Sequence, residues 1–110
     1  IMSPQTHDEI ISFTSQLPHA IAVALINSDN EKYDTGKYIG DSYRDLTRIA
    51  NINEALWSEL FLRNRENLLK SIEAFELQLD LIKQGLVEND EQILKKLFIN
   101  SSKRRENLEK

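Results

Sequence analysis

The chain has 110 residues, a formal net charge of -4 at pH 7, three Gly, two Pro and no Cys. That length supports one domain with a core, over residues 1–110. The acidic balance excludes a nucleic-acid binder, which needs a basic face for the phosphates, and Lys103-Arg104-Arg105 is too short a basic run to reverse it. Without cysteine there are no disulfides and no thiolate chemistry, and the cytosol is the default compartment. The longest unbroken apolar run, Ala20 to Ile26, is too short to span a bilayer, and nothing at the amino end reads as a signal peptide. A soluble, cytoplasmic, all-α domain without nucleic-acid or membrane partners is expected.

In chain order, Ile1 to Pro4 reads as an extended lead-in. Thr6, with Glu9 three residues on, forms a capping box that predicts a helix from His7 to about Asn27. Pro18 interrupts that helix and predicts a kink. Ala20 to Ile26 is apolar on every side, so it needs cover that a small domain can hardly supply alone, which points to a second chain or a missing domain. Ser28 to Ile39 is polar and reads as a loop. Ser42 with Asp45 is a second capping box, predicting a short helix that ends near Ala50.

Asn53 predicts the cap of a long helix with Glu54 in its first turn. Its apolar stripe runs through Leu56, Leu60, Leu68, Ile72, Phe75, Leu79 and Ile82, interrupted by Asn64, and Gly85 is its expected left-handed stop. A last amphipathic helix is expected from Glu88 to about Leu108, packing against the stripe as an antiparallel hairpin.

The densest chemistry lies between Gly40 and Ala50. Arg44 and Arg48 fall one turn apart on the short helix, and Asp45 is placed to pair with the Arg48 guanidinium. An oriented arginine near an aromatic side chain suits a planar carboxylate, because its fork donates two parallel hydrogen bonds. An exposed helix with an intrahelical ion pair is the plainer alternative. His7 and His19, the two histidines, would lie about 18 Å apart along a straight helix and off one face, so they predict no shared metal. No phosphate-binding glycine motif and no nucleophile elbow is present. His19 reads equally as a histidine satisfied by a backbone carbonyl, and Trp57 as a core anchor.

Taken together, His7-Asp8, Ser15-Gln16-Leu17-Pro18-His19, Tyr43-Arg44-Asp45-Leu46-Thr47-Arg48-Ile49-Ala50, Trp57 and Asn64 resemble, in order and spacing, the carboxyl-terminal helical domain of prephenate dehydrogenases. The resemblance covers the chain from Met2 to about Ile82. These enzymes oxidise and decarboxylate prephenate to 4-hydroxyphenylpyruvate with NAD in tyrosine biosynthesis. Their amino-terminal Rossmann domain holds the cofactor, while the helical domain dimerises and completes the substrate pocket.

The resemblance implies an intertwined homodimer and a chain that is a fragment or a separately made domain, inactive without its Rossmann half. It implies that Arg48 anchors a substrate carboxylate and that His19 and His7 line or order the pocket. By the same resemblance Trp57 reaches the partner subunit's site, and Asp45 lies at that interface. This assignment competes with the Asp45–Arg48 pair. Gln16 stands where the family commonly has histidine, and Asp41-Ser42 where it often has a glycine pair. The expected function is therefore the dimerisation and substrate-binding domain of an NAD-dependent prephenate dehydrogenase. The alternatives are an arogenate dehydrogenase domain, whose substrate differs by an amino group, or a helical interaction module without a substrate.

Overall fold

The computed structural model describes residues 1–109, and among them the regular structure is helical throughout. The helices are α1 (Pro4–Ile11), α2 (Leu17–Asn27), α3 (Asp41–Thr47), α4 (Glu54–Arg63), α5 (Arg65–Val87) and α6 (Glu91–Leu108). The all-α expectation holds. The chain divides into two compact units, Ile1–Ile72 and the residues from Glu73 onward.

The first helix starts earlier than its expected capping box. Ser3 is the cap, its Oγ accepting from the Thr6 amide at 3.1 Å, and Pro4 occupies the first turn, where a missing amide hydrogen costs nothing. The irregularity expected at Pro18 lies just before it. A π turn, Ser12–Gln16, joins α1 to α2, with the Leu17 amide donating to the Ser12 carbonyl. A wider turn leaves α-register carbonyls short of donors, and side chains supply them. The Ser12 hydroxyl donates to the Glu9 carbonyl at 2.6 Å, and the Thr14 hydroxyl to the Ile10 carbonyl at 2.8 Å.

Pro4–Asn27 thus runs as one helix of 24 residues. By length and composition it could cross a membrane. Its hydrogen-bonding argues instead for a helix packed on protein. Ser12 and Gln16 are buried on it and bond to Ser71 and Asn64. Beyond the π turn α2 is partly covered within the chain, because α3 and the 3₁₀ turn that follows α3 pack on it and Ala22 is fully buried. Ala24 and Ile26 stay exposed.

The loop after α2 is organised around Asp29. Its carboxylate accepts from the Thr35 hydroxyl at 2.6 Å and from the Glu31 amide at 3.0 Å, and Glu31 adopts a left-handed φ of 60°. The Thr35 hydroxyl, then the Glu31 amide, hold the Asp29 carboxyl below its ordinary value. Because the folded-state value is depressed, the stabilisation is present above the ordinary aspartate value of 3.8 and is lost as pH falls through the lowered one. Thr35→Val is therefore expected to return the Asp29 titration, followed by carboxyl NMR, toward its ordinary value. An unchanged titration would contradict the bond.

The short helix and the long one both depart from expectation. Gly40, not Ser42, is the N-cap of α3, with no side-chain cap bond. The helix stops at Thr47, whose hydroxyl donates back to the Tyr43 carbonyl at 2.7 Å, and Arg48–Ala50 continue as a tighter 3₁₀ turn. The long helix begins as expected, Asn53 Oδ1 accepting from the Leu56 amide at 3.0 Å. It then breaks at Asn64, where φ is -113° and ψ 29°, so that α4 and α5 are separate segments.

In the second unit Gly85 is not the helix stop. The chain ends α5 at Val87 in a Schellman arrangement. The Asp90 amide donates to the Gly85 carbonyl at 2.8 Å, the Asn89 amide donates to the Leu86 carbonyl at 3.2 Å, and Asn89 takes the left-handed φ of 50°. Gly85 is needed for a close approach, since a Cβ there would lie 2.9 Å from Leu94 Cδ2 and 3.1 Å from Leu94 Cγ. Asp90 caps α6 through the Gln92 and Ile93 amides, so that helix starts three residues after the expected Glu88.

The expected antiparallel packing is confined to this turn. Leu77, Leu86 and Val87 of α5 and Phe98, Ile99 and Leu108 of α6 are exposed. Of the stripe that reads as half of an intrachain hairpin, Leu68 is buried and Leu60, Ile72 and Phe75 are half-buried, whereas Leu79 and Ile82 are exposed along with these side chains.

Candidate functional site

Within the first unit the sequence-predicted residues fall into three places. His19 and Trp57 meet directly. Their rings stack with centroids 3.9 Å apart and planes inclined at 21°, and Phe61, one turn further along α4, meets Trp57 in a T-shaped arrangement with centroids 6.1 Å apart. His19 Nδ1 lies 2.8 Å from the Ser15 carbonyl. A carbonyl only accepts, so Nδ1 carries the hydrogen, and in the neutral ring Nε2 keeps its lone pair. The backbone-satisfied histidine and the aromatic anchor are therefore one feature: an imidazole of fixed tautomer lying on an indole.

Arg48 opens the 3₁₀ turn after α3, and that turn packs on α2, the helix that carries His19. Its guanidinium is exposed, and among the described residues no carboxylate pairs with it. The Asp45–Arg48 pair expected from the spacing is absent. Arg44 pairs with Asp41 instead, at 3.7 Å, and Asp45 is exposed. The tightening of the helix at Thr47 and Arg48 explains the change, because the three-residue stacking of side chains that an α-helix provides is not carried across the junction. His7 is apart from the stacked pair, exposed on the first turns of α1 with Nδ1 3.7 Å from the Asp8 carboxylate.

Two residues that spacing could not assign join these elements. Gln16, 5% exposed, accepts from Asn64 Nδ2 at 3.0 Å and donates from Nε2 to the Leu60 carbonyl at 3.3 Å. Asn64 Nδ2 also donates to the Asp8 carbonyl at 2.9 Å, and its Oδ1 accepts from Asn67 at 2.9 Å. The interruption of the apolar stripe at Asn64 was the available signal. Its meaning depended on a partner 48 residues away.

A dinucleotide does not fit the described residues. Gly40 caps a helix after a polar loop, Gly36 sits in a 3₁₀ turn, and Gly85 is filled by Leu94, so no strand-to-helix glycine turn exists to receive a pyrophosphate.

Residues 3–100 match the family described as prephenate dehydrogenase, dimerization domain. The chain belongs to this family. It is 28% identical over 111 residues to the prephenate dehydrogenase of Bacillus subtilis (strain 168), covering 97% of this chain and 30% of that protein. It is 34% identical over 110 residues to the cyclohexadienyl dehydrogenase of Zymomonas mobilis, covering 96% of this chain and 38% of that one. Among solved structures it resembles the prephenate dehydrogenase of A. aeolicus in complex with hydroxyphenyl propionate and NAD+. The TM-score is 0.79 and the identity 39%, over 96% of this chain and 38% of that chain. The chain spans about a third of the length of the relatives it matches. As a prephenate dehydrogenase dimerisation domain, it is an all-α part of an oxidoreductase family.

Proposed function

We propose that this chain is the dimerisation and substrate-binding part of a cytoplasmic, NAD-dependent prephenate dehydrogenase. The carrying observation is the His19–Trp57 stack on α2 and α4, with the Arg48 turn packed on α2. An unpaired guanidinium on a turn that packs against the helix bearing an aromatic shelf suits a ligand with both a carboxylate and a ring. Prephenate is such a molecule. In this reading Arg48 binds a prephenate carboxylate through its fork. Trp57 and the His19 ring supply the flat surface, and His19 Nε2, the nitrogen not engaged by Ser15, meets a polar group of the substrate. His7 orders the rim. These residues bind and orient substrate, and none of their roles involves the nucleotide. NAD is assigned to a Rossmann domain of the same polypeptide.

The homodimer follows from the uncovered apolar surface. Leu77 on α5 and Phe98 on α6 are 66% and 58% exposed, and in this reading a second copy of the chain covers them. In this reading Asp45 and Trp57 lie where the two subunits meet. Light scattering on the chain is expected to give the mass of a dimer. A soluble monomer at micromolar concentration would contradict the interface.

The activity test joins this chain to its Rossmann domain and follows NADH formation with prephenate and with arogenate. Prephenate-dependent reduction of NAD supports the proposal. Turnover of arogenate alone would move the substrate to its amino analogue, and no turnover of either, with binding of another protein retained, would favour an interaction module. The name of the Zymomonas relative, cyclohexadienyl dehydrogenase, is the observation that keeps both substrates in the assay.

A further inference from the structure

Two irregularities of the backbone face each other in the first unit: the π turn Ser12–Gln16 and the break between α4 and α5 at Asn64. The side chains that reach across come from the same two places. Gln16, in the π turn, donates to the Leu60 carbonyl near the end of α4, and Asn64, at the break, donates to the Asp8 carbonyl of α1. The two amides also bond to each other at 3.0 Å. None of the buried side-chain polar atoms described is left without a partner.

The joint lies one turn from both stacked rings. His19 follows Gln16 by three residues, and Trp57 precedes Leu60 by three, so the Gln16 to Leu60 bond fixes how the His19 turn of α2 registers on the Trp57 turn of α4. Ser15, whose carbonyl takes the His19 Nδ1 hydrogen, is the neighbour of Gln16 and lies inside the same π turn. Gln16 therefore bears on both properties of the imidazole, its tautomer and its stacking.

We propose that Gln16, with Asn64, is a positioning residue of the substrate site. Its amide cross-links the π turn to the helix break and so holds His19 on Trp57 as the tautomer protonated at Nδ1. As a role in substrate binding this rests on the function proposed above, but the geometry it claims exists without substrate. A buried amide that donates to one carbonyl and accepts from a second amide cannot be replaced by an apolar side chain of similar length without releasing both bonds.

The test is a long-range proton–nitrogen NMR spectrum of the full-length protein without substrate, with the His19 signals assigned by their loss in His19→Asn. His19 is expected to show one neutral tautomer, protonated at Nδ1, and ring protons shifted upfield by the Trp57 ring current. In Gln16→Met the tautomers should mix and the upfield shift should be lost. In Gln16→His, whose ring can accept at one nitrogen and donate at the other, both should return. If Gln16→Met does not fold, Gln16→Glu removes the donor to Leu60 while keeping an acceptor for Asn64, and it is read in the same way.

Kinetically, Gln16→Met should raise KM for prephenate and leave KM for NAD unchanged. Three results overturn the proposal: a wild-type His19 without these signatures, a Gln16→Met spectrum that keeps both, or their equal loss in Gly85→Ala, a change in the second unit. Failure of the prephenate reading shows elsewhere, as an Arg48→Ala enzyme with unchanged KM beside an intact His19 spectrum.

Discussion

Arg48→Ala in the full-length enzyme is expected to raise KM for prephenate by roughly 10- to 100-fold, with a smaller fall in kcat. The magnitude is that of a lost charge-assisted hydrogen bond, about 1.5–3 kcal/mol. The partition follows from when the contact is made. A carboxylate that takes no part in the bond changes is gripped as tightly in the ground state as in the transition state, so its loss weakens binding more than turnover. Arg48 is exposed and no described carboxylate pairs with it, so its removal leaves no partner charge stranded in the protein. Substrate binding is then the property that should change, and the unfolding temperature should move little. Steady-state kinetics at varied prephenate and saturating NAD would read the effect, and an unchanged KM would remove Arg48 from the site. Lysine should restore only part of the loss, because an ammonium cannot reproduce the parallel pair of bonds.

Asn64→Leu is expected to be the most destabilising single change in the first unit, by about 2–3 kcal/mol. Leucine matches the volume but removes the donors to the Asp8 carbonyl and to Gln16 Oε1 and the acceptor for Asn67. The Gln16 oxygen then sits in a buried position with no partner, which carries the desolvation cost of a polar group as well as the lost bond. For a domain of about 100 residues such a loss lowers Tm by on the order of 10 °C or more. Thermal unfolding by circular dichroism measures it, and a Tm within a degree or two of the parent would show that the joint contributes little. A double change with Gln16→Leu is expected to cost less than the sum of the two single changes, because it no longer strands one amide beside an apolar partner.

The sequence legibly carried the class of the fold and several of its boundaries. Few glycines and prolines, helical apolar periods, and Asn53 ahead of Glu54 are local signals whose physics is complete within a few residues. The order and spacing of the motifs from His7 to Asn64 carried the family. Cap choice was less legible, since Ser3 and Gly40 each took the place of a plausible candidate nearby, Thr6 and Ser42. Two capping residues a few positions apart differ by about 1 kcal/mol or less, and packing of the helix that follows decides between them.

What the sequence determined by itself was an all-α chain with more apolar surface than it can bury, and an arginine and a histidine in a recognisable order. The tertiary structure decided how those residues are held. Spacing placed Asp45 against Arg48, whereas the tightened backbone after Thr47 left them unpaired and joined Asp41 to Arg44. Spacing made Gly85 a helix stop, whereas Leu94 needed the space where its side chain would be and Asn89 took the left-handed turn. Spacing left Gln16 without a role and made Asn64 a flaw in a stripe, whereas their meeting across 48 residues joins two helix irregularities one turn from the His19–Trp57 stack. Helical periodicity records which face of a segment is apolar. It carries no information on which distant segment will offer the complementary carbonyl, amide or ring, because that choice is made only when the helices pack.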